Sequence, residues 1–282
     1  MPVPVPKIPI GLGVEKLVHW ITANFGDFLN SLSDVLKMFV NGFRDVLLFV
    51  PPVLLIIIIA FVAWFISKKK PSIALGTGIG LLIILNLGLW ARSMETVALV
   101  VSSALMALLI GIPLGIIAAK NEITNAIISP ILDFMQTMPP FVYLIPAVIF
   151  FGLGNVPGMI STIIFAMPPV IRLTNLGIRQ VPRELIEASD AFGSTSMQKL
   201  LKVQLPVAKP TIMAGVNQCI MLALSMVVIA AMIGAQGLGY VVLVGIQRID
   251  IGGGFEGGLA IVIIAIILDR ITQSLTVERK NN

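Results

Sequence analysis

Residues 46–66 read VLLFVPPVLLIIIIAFVAWFI, 21 residues without a charged side chain. A helix crossing the hydrocarbon core of a bilayer needs about 20 mostly apolar residues, so this stretch predicts a membrane span. The rest of the chain agrees. Of its 282 residues, 57% are hydrophobic and only 12% charged, with a mean hydropathy of +1.01. Soluble domains carry about 25% charged residues and have no means of hiding so much apolar surface. The one cysteine, Cys219, lies in an apolar run, and His19 is the one histidine. A disulfide framework, a Cys-rich metal motif and a His-based catalytic or metal site are therefore not expected. The opening MPVPVPKIPI lacks an apolar core of signal-peptide type, so a cleaved signal is not expected either.

Further spans are predicted at 72–91, 96–119, within 123–153, at 155–171, from Thr211 to about Ile233, and from about Gly257 to Asp269-Arg270. The fold class expected is an all-α integral membrane protein, a polytopic bundle of about seven transmembrane helices. Seven spans put the termini on opposite sides, and Lys/Arg asymmetry chooses the sides. With the N-terminus outside, 13 of the 19 Lys and Arg residues fall on the cytoplasmic side, among them Lys68, Lys69 and Lys70. The topology expected is N-out, C-in. The net charge of +5 is thereby read as topology. Nucleic acid is not an expected partner, because no basic patch is interleaved with aromatics. Ahead of the first span, apolar residues recur at steps of three and four from Leu17 to Phe43, opposite Glu15, Lys16, Asp27, Asp34 and Lys37. That stripe predicts an amphipathic helix. It either lies in the membrane interface or packs on the outer ends of the bundle.

The longest polar insertion, residues 172–210, reads RLTNLGIRQVPRELIEASDAFGSTSMQKLLKVQLPVAKP. Glu187-Ala188-Ser189 is followed by Gly193 and then by Val203-Gln204-Leu205-Pro206. This resembles the EAA loop of ABC importer permeases, with Ser189 in place of the second alanine and Val203 in place of isoleucine. Leu185, Ala188, Ser189 and Phe192 share one helical face, Gly193 suits a C-terminal cap, and Ser194, Thr195 or Ser196 suits the next N-cap. Leu205-Pro206 is expected to stop that second helix. PILDFMQTMPPFVYLIPAVIFFGLGNVPG (130–158), NQCIMLALSMVVIAAMIGAQGLG (217–239) and LAIVIIAIILDRITQ (259–273) look like permeases of glycine betaine/proline-type osmoprotectant importers. The resemblance implies a type I permease core over 93–275 with a coupling loop at 172–210, preceded by an outer scaffold segment at 1–45 and two accessory helices at 46–92, and followed by a cytoplasmic tail at 276–282. It implies a homodimer in the bacterial cell membrane. Its partners would be cytoplasmic ATPase subunits, which hold ATP and Mg, and an extracytoplasmic binding protein. Glu187, Ala188, Ser189, Phe192, Gly193, Val203, Leu205 and Pro206 would dock on the ATPase. No cofactor is expected on this chain.

Polar groups inside spans usually face a bundle interior or a watery cavity. Asp133, Met135, Gln136, Thr137 and Tyr143, among prolines 130, 139, 140 and 146, are candidates for a translocation path, as are Asn217 and Met226. The competing reading pairs Asp133 with Lys120 or Arg172 and makes the methionines ordinary packing. Gly234, Gly237 and Gly239 are expected to form an outer turn and, without a Walker-type lysine, no nucleotide site. The function expected is an ATP-driven permease for a compatible solute such as glycine betaine. The alternatives are a type I permease for choline, D-methionine or taurine, or a secondary transporter, against which the EAA spacing and the lack of inverted halves argue. An intramembrane enzyme would need a nucleophile–base pair or an H-E-x-x-H pattern, and none is present.

Overall fold

A computed structural model describes residues 10–67 and 70–276. The expectations for residues 1–9, Lys68, Lys69 and the tail 277–282 lie outside the described residues. The described chain is helical throughout, with no strand among those residues. Four helices are long and apolar enough to cross a membrane, or up to six if each of two bent pairs forms one span.

Two expected spans break at proline pairs, Pro51-Pro52 and Pro139-Pro140. Helix α1 (Ile10–Phe49) carries the amphipathic stripe, and α2 (Pro52–Ile66) leaves it at 105°. The expected span 46–66 is therefore cut. Pro51 disfavours helix at Val50, and Pro52 starts the new helix, where its missing N–H costs nothing. The second half of α1 buries Ser33, Leu36 and Val40 and packs on α4, α6 and α7. Its first half leaves Leu17, Trp20 and Phe28 exposed. Helix α3 (Pro71–Asn86) is shorter than the expected 72–91, because Gly88 turns the chain at φ +71° before α4 (Trp90–Lys120).

The expected fourth span is likewise two helices. α5 (Glu122–Thr137) and α6 (Pro140–Phe151) meet at 101° across Met138-Pro139. Helix α7 (Asn155–Arg179) runs through Pro168-Pro169 and extends two turns past the expected end at Ile171. The core is the close packing of α4, α7 and α10 (Leu205–Ala231). Gly111 and Gly115 face Val170 and Thr174, and Gly215 faces the backbone of Pro169 and Val170. Small residues let membrane helices approach closely enough for dispersion to hold them. Sequence reading also missed a helix. The 234–237 turn is present, but Gly239 lies inside α11 (Leu238–Arg248), and α12 (Ile251–Thr276) starts six residues before Gly257.

Candidate functional site

The 172–210 insertion folds as a helical hairpin. Helix α8 (Arg183–Ala191) follows α7 after a turn at Val181-Pro182, with Glu184 favourably placed in its first turn. It ends in a Schellman motif. The Gly193 N–H donates to the Asp190 carbonyl (2.9 Å), the Ser194 N–H donates to the Ser189 carbonyl (3.1 Å), and Gly193 takes φ +71°. Thr195 then caps α9 (Ser196–Lys199) with a complete capping box. Its hydroxyl accepts from the Gln198 N–H (3.3 Å), and the Gln198 side chain accepts from the Thr195 N–H (2.9 Å). Lys199 forms an ion pair with Asp190 across the hairpin.

Leu205-Pro206 does not stop the helix. Residues 200–204 form a single π turn, and the helix continues from Ser196 to Ala231. A proline clashes with the carbonyl four residues back and lacks the N–H that would bond it. The wider turn, with the Leu205 N–H bonded to the Leu200 carbonyl, absorbs both defects without ending the helix.

The hairpin sorts the motif residues by exposure. Leu185, Glu187, Ala188 and Phe192 face outward, Phe192 with 91% of its surface exposed. Ser189, counted in the same docking face from its spacing, is 7% exposed and lies on the inner side, its hydroxyl without a partner. Val203 and Leu205 are half-buried and Pro206 is exposed. The exposed face is thus apolar at its centre and carboxylate-bearing at Glu187.

A polar network that the sequence reading missed ties the hairpin's root to α5. Arg179, in the last turn of α7, donates to Asn175 (2.7 Å), Glu122 (2.6 Å) and the Ala118 carbonyl (2.9 Å), and Asn175 donates to Asn125 (2.7 Å). In the sequence Arg179 reads only as one of the positive charges of the 172–210 insertion. The polar residues Glu122 and Asn125, one turn apart at the start of α5, were the available signal.

The pathway candidates divide. Asp133 pairs with Arg172, which favours the paired reading at that position, and Lys120 is not its partner. Gln136 and Thr137 are exposed and Met135 is half-buried, all at the end of α5. Tyr143 is buried, and its hydroxyl donates to the Met135 carbonyl across the α5–α6 break. Its own carbonyl accepts from Ser161 (3.3 Å). Tyr143 thus braces the bend. Asn217 donates to Asp269 (3.0 Å), while its own side-chain oxygen is buried without a partner. Met226 has no exposed surface and packs with Leu144 and Ile233. Within this chain it is core, because a thioether fills the irregular gap between α6 and α10.

Residues 111–276 match the family model described as "Binding-protein-dependent transport system inner membrane component". The chain is 53% identical to the glycine betaine transport system permease protein OpuAB of Bacillus subtilis, over 98% of this chain and 97% of that one. It is also 53% identical to the glycine betaine/carnitine transport permease protein GbuB of Listeria monocytogenes, over 98% and 99%. Among solved structures it resembles a chain of the MetNI methionine ABC transporter in an inward-facing conformation. The TM-score is 0.58 and the identity 26%, over 67% of this chain and 96% of that one.

Proposed function

We propose a function from the premise of family: this chain belongs to the inner-membrane components of binding-protein-dependent transport systems, and is a multi-pass membrane permease. Its substrate is a small quaternary ammonium compatible solute of the glycine betaine type. Support comes from two near-full-length relatives, each named for glycine betaine transport. The observation that carries the coupling role is the exposed face of α8, with Phe192 held out by the Schellman turn at Gly193. Leu185, Ala188 and Phe192 are exposed at helical spacing on one face, and a grouped apolar surface of this kind marks an interaction site where a lone exposed residue does not.

In this reading two copies of the chain form the pathway, with about seven spans each and the N-terminus outside. Residues 1–45 act as scaffold, 46–92 as accessory helices and 93–275 as the permease core. Residues exposed in one copy at the α5 end, Gln136 and Thr137, line the path between copies. Separate ATPase subunits hold ATP and Mg and dock on α8. Their closure moves α8, the Arg179 network carries the movement to α5, and the bundle opens outward to accept solute from an external binding protein. Hydrolysis returns it inward.

The test is uptake of radiolabelled glycine betaine into proteoliposomes holding this chain, its cognate ATPase and its binding protein, with choline, D-methionine and taurine as competitors. ATP-dependent betaine uptake is expected. Uptake that persists without the ATPase would make the chain a secondary transporter, and accumulation of a competitor in place of betaine would reassign the substrate.

A further inference from the structure

A groove of about 490 Å³ opens between α3 and α12, and no residue of the coupling hairpin or of the α5–α6 bend lines it. Its walls are apolar, formed by Ile73 and Gly76 of α3 and by Ile263, Ile266 and Ile267 of α12. The two helices touch at Gly80, where a Cβ would meet Ile263, whereas a Cβ at Gly76 would stand in open space. Gly76 therefore hollows the groove and is not required by packing.

One end of the groove is cationic. Lys70 precedes the first turn of α3 and Arg270 lies one turn beyond Ile266, so both stand at the same end. Both are exposed, and neither has an ion-pair partner among the described residues. The first turn of α3 has no side-chain cap, which leaves backbone N–H groups that favour an anion. The depth fits a lipid headgroup. Asp269, next to Arg270, bonds Asn217 on α10. Half a turn away, Gly215 faces Val170, which Gly111 of α4 also faces. At about 1.5 Å per residue, that level lies roughly 30 Å from Arg92 near the opposite end of α4, the thickness of a hydrocarbon core.

We propose that this groove binds an anionic phospholipid, its phosphate between Lys70 and Arg270 and an acyl chain along Gly76. A free anion would leave the apolar walls uncovered. A second copy is disfavoured, because a twofold contact through the groove would bring these unpaired cations together. Basic sites between membrane helices are known to select anionic headgroups in this way.

The test uses the full-length chain in nanodiscs of equal phosphatidylglycerol and phosphatidylcholine, released into mild detergent and weighed intact by mass spectrometry. Retained phosphatidylglycerol should exceed phosphatidylcholine by roughly thirtyfold, about fivefold from each cation. K70Q/R270Q should bring the two lipids to near parity. Gly76→Leu should abolish retention of both, since a Cβ at that position meets no protein atom and the rest of the side chain would occupy the groove. Added inorganic phosphate should displace neither lipid. Parity in the unaltered chain, a preference that survives K70Q/R270Q, or displacement by phosphate overturns the proposal. So does loss of a dimer in Gly76→Leu, which would make the groove a self-interface. If Gly76→Leu does not insert, the K70Q/R270Q comparison decides alone.

Discussion

Phe192 and Gly193 are neighbours with opposite duties. Phe192 offers surface, and burying a phenylalanine is worth about 1.5–3 kcal/mol. Phe192→Ala should therefore weaken ATPase association by roughly ten- to a hundredfold while leaving the chain's own stability unchanged, since Phe192 supports nothing beneath it. A co-purification titration reads this, and unaltered association would remove Phe192 from the interface. Gly193 offers conformation. A Cβ there meets nothing, so Gly193→Ala isolates backbone strain of about 1–2 kcal/mol. Asparagine tolerates the left-handed region and should be milder, whereas aspartate adds a charge to a docking face and should abolish uptake. The expected order of remaining uptake is Asn, then Ala, then Asp. An aspartate variant with normal uptake and a bound ATPase would sink the coupling assignment. Ser189→Ala removes a buried hydroxyl that has no partner. Leaving such a group unpaired costs about 1–3 kcal/mol, so this change should be neutral to stabilising by thermal melting, with uptake retained.

At the scale of elements, the proposed mechanism makes the tie between α5 and α7 the route by which movement of α8 reaches the bundle. Arg179 holds three acceptors on α4, α5 and α7 at once, so Arg179→Gln should loosen all of them. Uptake should fall by an order of magnitude or more while the ATPase stays bound, leaving hydrolysis that no longer responds to the binding protein. Full uptake in Arg179→Gln would show that coupling bypasses α5. Glu122→Gln should be far gentler, because Glu122 is a largely exposed partner and such pairs contribute about 0–1 kcal/mol. Element identity was legible in sequence wherever a long apolar run or an amphipathic stripe crossed the chain, as in α1, α4, α10 and α12. Element ends were not. Pro51-Pro52 breaks its helix, Pro168-Pro169 passes through α7 unbroken, and Leu205-Pro206 is absorbed in a π turn. The same ring has three outcomes because neighbouring helices, not the local sequence, decide whether a lost hydrogen bond can be tolerated.

At the scale of the whole molecule, the sides of the membrane can be tested directly. Ser31 and Ser196 are both exposed, and the native Cys219 is buried. In intact cells an impermeant thiol reagent should label Ser31→Cys and spare Ser196→Cys until the membrane is opened. Equal labelling from outside would defeat the N-out arrangement. The pathway candidates separate within a single chain. Gln136 and Thr137 keep exposed surface where the proposed second copy would face them, while Met226 is spent on the interior.

The membrane fold could be read from sequence alone, and the expectations of an orientation and of a coupling loop came from sequence too, because each rests on a signal that is local along the chain. Those signals are the length of an apolar run, the placement of lysine and arginine, and the spacing of Glu187, Gly193 and Pro206. The direction each of those residues faces could not be read. Ser189 shares a helical face with Ala188 in a flat projection, yet the chain returns through residues 200–204 to pack on α8, and Ser189 is buried while Ala188 stays in solvent. The Arg179 network and the cationic groove at Lys70 and Arg270 each join residues more than fifty positions apart. Only the packing of α3, α4, α5, α7 and α12 brings them together, because side-chain contact is a property of distance in space, which separation along the chain does not specify.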